Sequence, residues 1–163
     1  MPLSTRLSAI VLLLLAAANA ALAADFASGK ASFKNYSSVT KYAWLVRGPD
    51  DMDESKSVLR LFLSSEDFGA KLKACNSMSC ADRLLIDGAM VDFSDARHLG
   101  YAVRLNGQRV QYSGGTSGAA FAITTNSPDR LAGKLHIDDT ATGGAKVDAE
   151  FDLTLAITFK NLR

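Results

Sequence analysis

Every second residue between Val147 and Phe159 is apolar. One side of this segment is apolar throughout, and Asp148 and Glu150 begin the polar side, which only Ala156 interrupts. A period of two places successive side chains on opposite faces of a strand. The pattern therefore predicts a long β-strand with one buried and one solvated face, as is common in antiparallel sheets.

The segment Leu131–Asp138 alternates in the same way and is separated from the long strand by a loop with two adjacent glycines. Antiparallel pairing must keep the two apolar faces on the same side. One register that meets this condition sets His136 opposite Asp148 and Lys134 opposite Glu150, which are favourable cross-strand pairs. We therefore expect a hairpin in which His136 is the surface partner of an acid.

A second hairpin is predicted around Asn106 and the glycine that follows it, because this residue pair is typical of a type I′ turn. Two alternating segments, Tyr101–Leu105 and Gln108–Tyr112, flank the pair. A two-residue turn fixes the register and sets Arg104 directly opposite Arg109. Like charges in this position are destabilising, so an anionic group is expected between them.

Further strands are predicted at Gly29–Lys34, Lys41–Arg47, Ser57–Leu63 and Ser117–Thr124, and Tyr42 and Trp44 lie on the apolar face of the second of these. Asp87 and the glycine after it are expected to turn one more hairpin, which would join Arg83–Ile86 to Ala89–Phe93. About eight strands with frequent turn residues indicate an all-β protein, an antiparallel β-sandwich, with a partly open barrel as the alternative.

One short helix is expected beside the strands, over Glu66–Ala74. Ser64 and the acidic residues after it resemble a capping box, and Phe68 and Leu72 repeat at helical spacing. The remaining composition disfavours helix, since 14 of the 17 acidic residues are Asp, which favours turns and caps over helix interiors.

Residues 1–23 differ from the rest of the chain. They contain 17 apolar residues and a single charge, Arg6, and they end in small residues. This pattern is typical of a secretory signal peptide, with cleavage expected between Ala23 and Ala24. Its apolar core is shorter than the ~20 residues of a membrane-spanning helix. We therefore expect a single domain, residues 24–163, in the periplasm or secreted, with no transmembrane segment after cleavage.

Without those residues the chain carries 17 basic and 17 acidic side chains. Domains that bind nucleic acids usually have an excess of basic residues, and an apolar content of ordinary size excludes a disordered chain. The composition thus favours a charge-balanced globular domain that does not bind nucleic acid.

The two cysteines, Cys75 and Cys80, are separated by four residues. In an exported chain they are expected to form a disulfide, which closes a small loop and shapes it locally. A copper(I) site that uses both thiolates and Met78 is the alternative.

Recognisable catalytic motifs are missing from the sequence. There are two histidines, His98 and His136, no Gly-x-Ser-x-Gly elbow, and no His or Cys pair at metal-ligand spacing. The Gly-rich segment Ser113–Gly118 opens no predicted helix, so it is expected to be a flexible connection and not a phosphate-binding loop. We therefore expect a protein that is not an enzyme and that has no metal or cofactor.

A binding face is expected around the two opposed arginines. Arg104 and Arg109, extended by Arg97 and His98, would recognise a small anionic ligand or an unknown protein partner. In the alternative interpretation the guanidinium groups extend into solvent or pair with Asp residues.

The C-terminal third resembles exported bacterial proteins of uncharacterised function. The similar segments are Arg130–Leu135, Asp138–Asp139, Gly143–Gly144 and Lys146–Asp152, which form a Gly-bearing strand, a Gly-Gly loop and a closing Phe-Asp strand. This resemblance implies an exported β-sandwich and no particular activity.

The Cys75–Cys80 segment is similar in size to the disulfide-closed loop of the periplasmic inhibitor of vertebrate lysozyme. In that family the loop presents a histidine to the acidic cleft of the enzyme, whereas this loop encloses Asn76, Ser77, Met78 and Ser79. The resemblance implies an inhibitor of a lysozyme-like or other hydrolase.

The favoured hypothesis is an exported, non-catalytic binding or interaction module. A hydrolase inhibitor that acts through the Cys75–Cys80 loop is the second hypothesis, and a hydrolase or metal-handling protein is the third.

Overall fold

The computed structural model of the chain describes residues 25–50, 53, 55–95 and 98–160. Most of them lie in ten strands: β1 (Phe26–Phe33), β2 (Tyr36–Thr40), β3 (Tyr42–Pro49), β4 (Ser57–Ser64), β5 (Gly88–Asp95), β6 (His98–Leu105), β7 (Val110–Ser117), β8 (Phe121–Ser127), β9 (Arg130–Asp138) and β10 (Lys146–Thr158). Two short helices, α1 (Gly69–Ala74) and α2 (Met78–Asp82), lie between β4 and β5. The expected signal peptide, residues 1–23, lies outside the described residues, so its cleavage stays a prediction.

The strands form one sheet in the order β2-β1-β10-β3-β4-β5-β6-β7, and β9 with β8 branches from β10. Among these pairs, β10 with β3 is parallel and the others are antiparallel. The sheet curls, so that side chains of both its halves enclose the main hydrophobic core. The prediction of a mostly β, antiparallel protein is confirmed. The eight-stranded sandwich is not confirmed, because β10 belongs to both halves and joins them into one sheet.

The register predicted for β9 and β10 is confirmed. His136 lies opposite Asp148, and Lys134 lies opposite Glu150. The Lys134 ammonium is 3.3 Å from the Glu150 carboxylate, and His136 Nδ1 is hydrogen-bonded to Asp148. In the loop before β10, Gly143 has a left-handed φ of 80°, which glycine adopts without strain. Charge pairing and a short glycine-containing loop are sufficient to set this register.

Strand β10 changes its partners and its buried face near Ala156. Before this point it pairs with β1 and β9, and from Leu155 onward it pairs with β3, with a register shift between Leu155 and Ile157. Leu155 packs against the main core, whereas Ile157 and Phe159 pack into a second cluster on the outer face of the sheet. The alternation predicted a single continuous apolar face, and this was wrong because a bulge re-aims the side chains that follow it.

The second predicted hairpin forms, but with another register. Leu105 pairs with Val110, and Arg104 pairs with Gln111, so Arg104 does not lie opposite Arg109. The turn therefore has four residues where two were expected, and the opposition of like charges is not present.

Gln108 accounts for the longer turn. It has a left-handed φ of 67°, after Asn106 with 53° and Gly107 with 63°. Its N–H donates to the Ile86 carbonyl (3.1 Å) and its side-chain amide donates to the Leu85 carbonyl (2.9 Å). These bonds hold the turn against the segment that follows α2. Since the shift is by two residues, every side chain keeps the predicted face and only its cross-strand partner changes.

The segment Ser113–Gly118 was predicted as a flexible connection, but all of it except Gly118 forms the second half of β7, and Gly118 begins a short 3-10 turn. A Cβ on Gly114 would lie 3.0 Å from the Tyr112 ring, and a Cβ on Gly115 would lie 2.3 Å from His98 Nε2. The glycines of this strand therefore leave space for aromatic and imidazole rings that lie over the backbone.

Strand β2, which is mostly polar, was not predicted from the sequence.

Helix α1 is shorter than predicted. It begins at Gly69 and not at Glu66, and the Gly69 N–H donates to Asp67 Oδ1 (2.8 Å). Such a side-chain bond to a nearby backbone N–H competes with helix formation. Phe68 and Leu72 are buried, as their helical spacing predicted.

Helix α2 begins inside the disulfide-closed segment, ends two residues after Cys80, and was not predicted. Ser77 Oγ accepts a hydrogen bond from the Cys80 N–H (3.2 Å) and caps this helix. The disulfide between Cys75 and Cys80 is confirmed, with an S–S distance of 2.04 Å. Because the chain turns directly after α2, Arg83–Ile86 is not a strand and the hairpin predicted at Asp87 is wrong.

The two helices cover a second hydrophobic cluster on the outer face of β3 and β4. Its buried members are Val46, Val58, Phe62, Phe68, Leu72, Met78, Ala81, Leu85 and Phe159. A buried ion-pair network adjoins it: the Arg60 guanidinium, 2% exposed, lies 2.6 Å from both Asp82 of α2 and Asp92 of β5. Since a buried charge is tolerated only when it is paired and hydrogen-bonded, Arg60 connects α2 to the sheet.

We expect Asp82→Ala to lower the free energy of unfolding by about 3 kcal/mol, because it removes one of the carboxylates around a buried guanidinium. Urea unfolding followed by circular dichroism measures this loss. Glu66→Ala removes an exposed acid near α1 and should change the free energy by less than about 0.5 kcal/mol. Equal effects of the two substitutions would contradict the role assigned to the network.

Candidate functional site

Two residues of the predicted basic face, Arg104 and His98, lie far apart. Arg104 and His98 lie six residues apart on β6, which separates their Cα atoms by roughly 20 Å. The Arg104 guanidinium donates to the main-chain oxygen of Asp82, and Arg109 is exposed on the turn. Arg97 lies outside the described residues. Arg104 and His98 therefore do not share one small ligand site.

The acidic side of β10 is paired with basic residues of β9. Arg130 Nε is 2.6 Å from the Asp152 carboxylate, and this hydrogen bond raises the pKa of Arg130. The Lys134 and His136 pairs continue the same ladder toward the loop. This surface is largely neutralised within the sheet, so it does not offer a free acidic patch.

The disulfide loop lies against the sheet. Met78 is 3% exposed, and a Cβ on Gly48 of β3 would lie only 2.3 Å from Met78 Cγ. Of the four residues that the disulfide encloses, Asn76 and Ser79 are exposed, and Ser79 Oγ accepts a hydrogen bond from Arg83 (3.0 Å). Only a small polar part of the loop thus faces solvent.

A groove opens where β2 continues into β3. Thr40, at the end of β2, lies opposite Gly29 of β1, but Tyr42, two residues later, lies opposite Ser64 of β4. The chain therefore passes from one half of the sheet to the other, and β1 and β3 diverge. We call the space between them the aromatic groove; it has a volume of about 440 Å³. Its rim is formed by Asp25, Phe26, Lys41, Tyr42, Trp44 and Asp67.

Three aromatic side chains form the walls of the aromatic groove. Phe26 is 48% exposed and Tyr42 is 42% exposed. The rings of Tyr42 and Trp44 are nearly parallel, at 11°, with centroids 6.2 Å apart. Behind them, the buried ring of Phe68 lies 4.0 Å from the Trp44 ring. The indole is thus supported by the outer cluster while the groove remains open.

Two carboxylates are held at the rim. A Cβ on Gly69 would lie 3.0 Å from Trp44 Nε1 and 3.3 Å from Asp67 Oδ1, so the indole nitrogen and the Asp67 carboxylate both lie against Gly69. The Asp25 carboxylate accepts hydrogen bonds from the Thr154 N–H (2.9 Å) and hydroxyl (2.7 Å). Both acids are therefore oriented by the backbone around them.

The strand edges beside the aromatic groove have unused backbone groups. Phe26–Ser28 pair with β10 alone, since the ladder of β1 with β2 begins at Gly29. Tyr42–Trp44 pair with β4 alone, since the ladder of β3 with β10 begins at Leu45. Unpaired N–H and C=O groups on a strand edge are available to a ligand.

Sequence reasoning did not find this site. It predicted a strand over Lys41–Arg47 and placed Tyr42 and Trp44 on its buried face. The structure instead leaves Tyr42 exposed, because the chain leaves β1 after Thr40, where β2 ends. No local signal in the sequence marks that divergence.

The chain matches no protein-family model, and it has no match among the curated proteins or the solved structures. Within residues 25–50, 53, 55–95 and 98–160, no group of three or more His, Cys, Asp or Glu side chains could hold a metal ion. No helix in this part of the chain is long and apolar enough to cross a membrane. The geometry of the aromatic groove is therefore the main structural indication of function.

Outside the groove, Asp138 at the end of β9 has a perturbed carboxyl group. It accepts hydrogen bonds from the Thr140 hydroxyl (2.6 Å) and from the Lys146 ammonium (3.1 Å). These bonds stabilise the carboxylate and lower the pKa of Asp138 to about 2. An acid whose pKa is lower in the folded state stabilises the fold above its unfolded pKa, and this contribution is lost as the pH falls through the folded pKa.

We therefore expect the free energy of unfolding of Asp138→Asn to fall less steeply with decreasing pH than that of the wild type, from the usual carboxyl pKa of 3.8 down to about 2. Thr140→Val, which removes the shorter of the two hydrogen bonds, should also make the free energy of unfolding less dependent on pH over the same range. Urea unfolding at a series of pH values measures the slopes. Parallel wild-type and Asp138→Asn curves would disprove the assignment.

Proposed function

We propose that the protein is an exported, non-catalytic binding module that takes its ligand in the aromatic groove. Export is supported by the apolar pattern of residues 1–23 and by the Cys75–Cys80 disulfide, which suits an oxidising compartment. The observation that carries the binding role is the pair of parallel rings, Tyr42 and Trp44, on the wall of an open groove.

Exposed aromatic rings favour binding because they bury a large apolar area when a ligand covers them. Phe68 already supports the Trp44 indole, so little conformational freedom remains to be lost on binding. The volume of the groove, about 440 Å³, lies in the range of small-ligand sites. These properties are typical of a preformed ligand-binding site.

The inhibitor hypothesis has less geometric support. The Met78 side chain anchors the disulfide loop to the sheet, so Asn76 and Ser79 are the enclosed residues that could enter an enzyme cleft. Inhibition of a lysozyme that survives Tyr42→Ala and is lost in Asn76→Ala would favour this hypothesis. For the metal-handling part of the third hypothesis, the described residues contain no group of three or more His, Cys, Asp or Glu side chains that could hold a metal ion.

Trp44 is the only tryptophan of the chain, so fluorotryptophan labelling gives a single fluorine resonance that reports on the aromatic groove even in a crude mixture. We expect fractions of a bacterial periplasmic extract to shift or broaden this resonance in the wild type. Tyr42→Ala, which removes one wall, should abolish the effect.

Tyr36→Ala is the matched control, because Tyr36 of β2 is as exposed as Tyr42, at 42% each, but does not line the groove. It should respond like the wild type. A resonance that no fraction moves, or that moves equally in Tyr42→Ala, would contradict the proposed function.

A further inference from the structure

We infer that the aromatic groove selects an organic cation, an alkylammonium or guanidinium group carried by a basic peptide or by a small molecule. This inference rests on the proposed function and assigns the ligand chemistry of the same site. It combines ring geometry, charge and the apolar floor of the groove.

The aromatic walls provide the first part of a cation site. A cation is attracted to the face of a Trp or Tyr ring within about 6 Å of its centroid. Tyr42 and Trp44 are adjacent on the same face of β3, with nearly parallel rings and centroids 6.2 Å apart. This spacing is too small for a group to enter between the rings, so a cation can approach both of them only from an open face of the pair. Phe68 restrains the indole from behind.

The charges at the rim provide the second part. Two acids, Asp25 and Asp67, face the groove, against a single base, Lys41. Asp25 is partly compensated by Arg130, whose guanidinium is 3.9 Å away. Asp67 forms no ion pair with a described residue, and its carboxylate lies against Gly69, as Trp44 Nε1 does. A cation on the ring face would therefore also meet a carboxylate.

The floor of the groove consists of Ala27, Ala43 and Leu153. Ala27 and Ala43 pack against the main core and present no charge to the ligand. Such a surface suits the methylene groups of a lysine or arginine side chain, which bury their aliphatic stems while the charged head stays at the polar rim. A bare inorganic cation would gain nothing from it, and an anion would meet two acids.

The free strand edges distinguish a peptide from a small cation. A peptide can hydrogen-bond through its backbone to Phe26–Ser28 or Tyr42–Trp44, as in strand addition. A free alkylammonium ion has no backbone and can use only the rings and carboxylates. The affinity difference between the two therefore measures the contribution of the edges.

Trp44 fluorescence, recorded at pH 7 and low salt, tests the inference directly. The probes are acetylated and amidated pentapeptides with Lys, Arg, Gln or Glu between pairs of glycines, together with n-butylammonium and glucose. We expect saturable changes with the Lys and Arg peptides, and none with the Gln peptide, the Glu peptide or glucose. Added salt should weaken the response because it screens the charges.

Asp67→Asn tests the carboxylate without changing its size. We expect it to weaken binding of the Lys peptide about tenfold, as loss of a charge-assisted contact would. Asp129→Asn is the matched control, since Asp129 is also an exposed turn acid with a local hydrogen bond, to Ser127. This control should bind like the wild type.

Each other outcome has a defined meaning. Equal binding of the Gln and Lys peptides, binding of glucose alone, or an unchanged Asp67→Asn variant would overturn the cation inference and leave the binding function standing. The same holds if no probe binds while extract still moves the fluorine resonance of Trp44. If neither probes nor extract affect Trp44, both proposals fail.

Discussion

Strand β10 passes through both halves of the curled sheet, and its edges carry hydrogen bonds to β1, β9 and β3. The bulge between Leu155 and Ile157 lets one strand supply side chains to the main core and then to the outer cluster. Because β10 is hydrogen-bonded along both edges, the two halves of the sheet cannot separate without breaking these ladders. The core, the helices on the outer face and the position of β3 all depend on this shared strand.

The aromatic groove follows from that constraint. The chain has to leave β1 after β2 so that β3 can pair with both β4 and the end of β10, and the divergence opens a space at Lys41. Directly before α1, Phe68 packs behind Trp44, and Asp67 and the Trp44 indole nitrogen both lie against Gly69. The same curvature that closes the core therefore exposes aromatic rings and unpaired strand edges at one point of the surface.

The two predicted hairpins show which features of a hairpin can be predicted from the local sequence. The β9–β10 register follows from a glycine-containing loop and from complementary charges such as Lys134 and Glu150, all of which lie within one short segment. The β6–β7 register does not, because Gln108 bonds to the carbonyl of Leu85, in a segment that precedes both strands. The predicted face of each side chain was correct in the β6–β7 hairpin, since a slip of two residues preserves it, and in the β9–β10 hairpin it was correct as far as Leu155, before the bulge. In the observed register Arg104 lies opposite Gln111 and not opposite Arg109, so the like-charge pair that suggested an anion site is not formed.

By itself the sequence determined the β class, the β9–β10 hairpin and the Cys75–Cys80 disulfide, because alternation, turn residues and cysteine spacing act over short distances along the chain. Only the tertiary structure decided that β10 crosses between two halves of a sheet, that Gln108 lengthens a turn, and that Tyr42 lines a groove instead of a core. These features depend on contacts between segments far apart in the chain, and a period of two cannot encode which strand lies beside which.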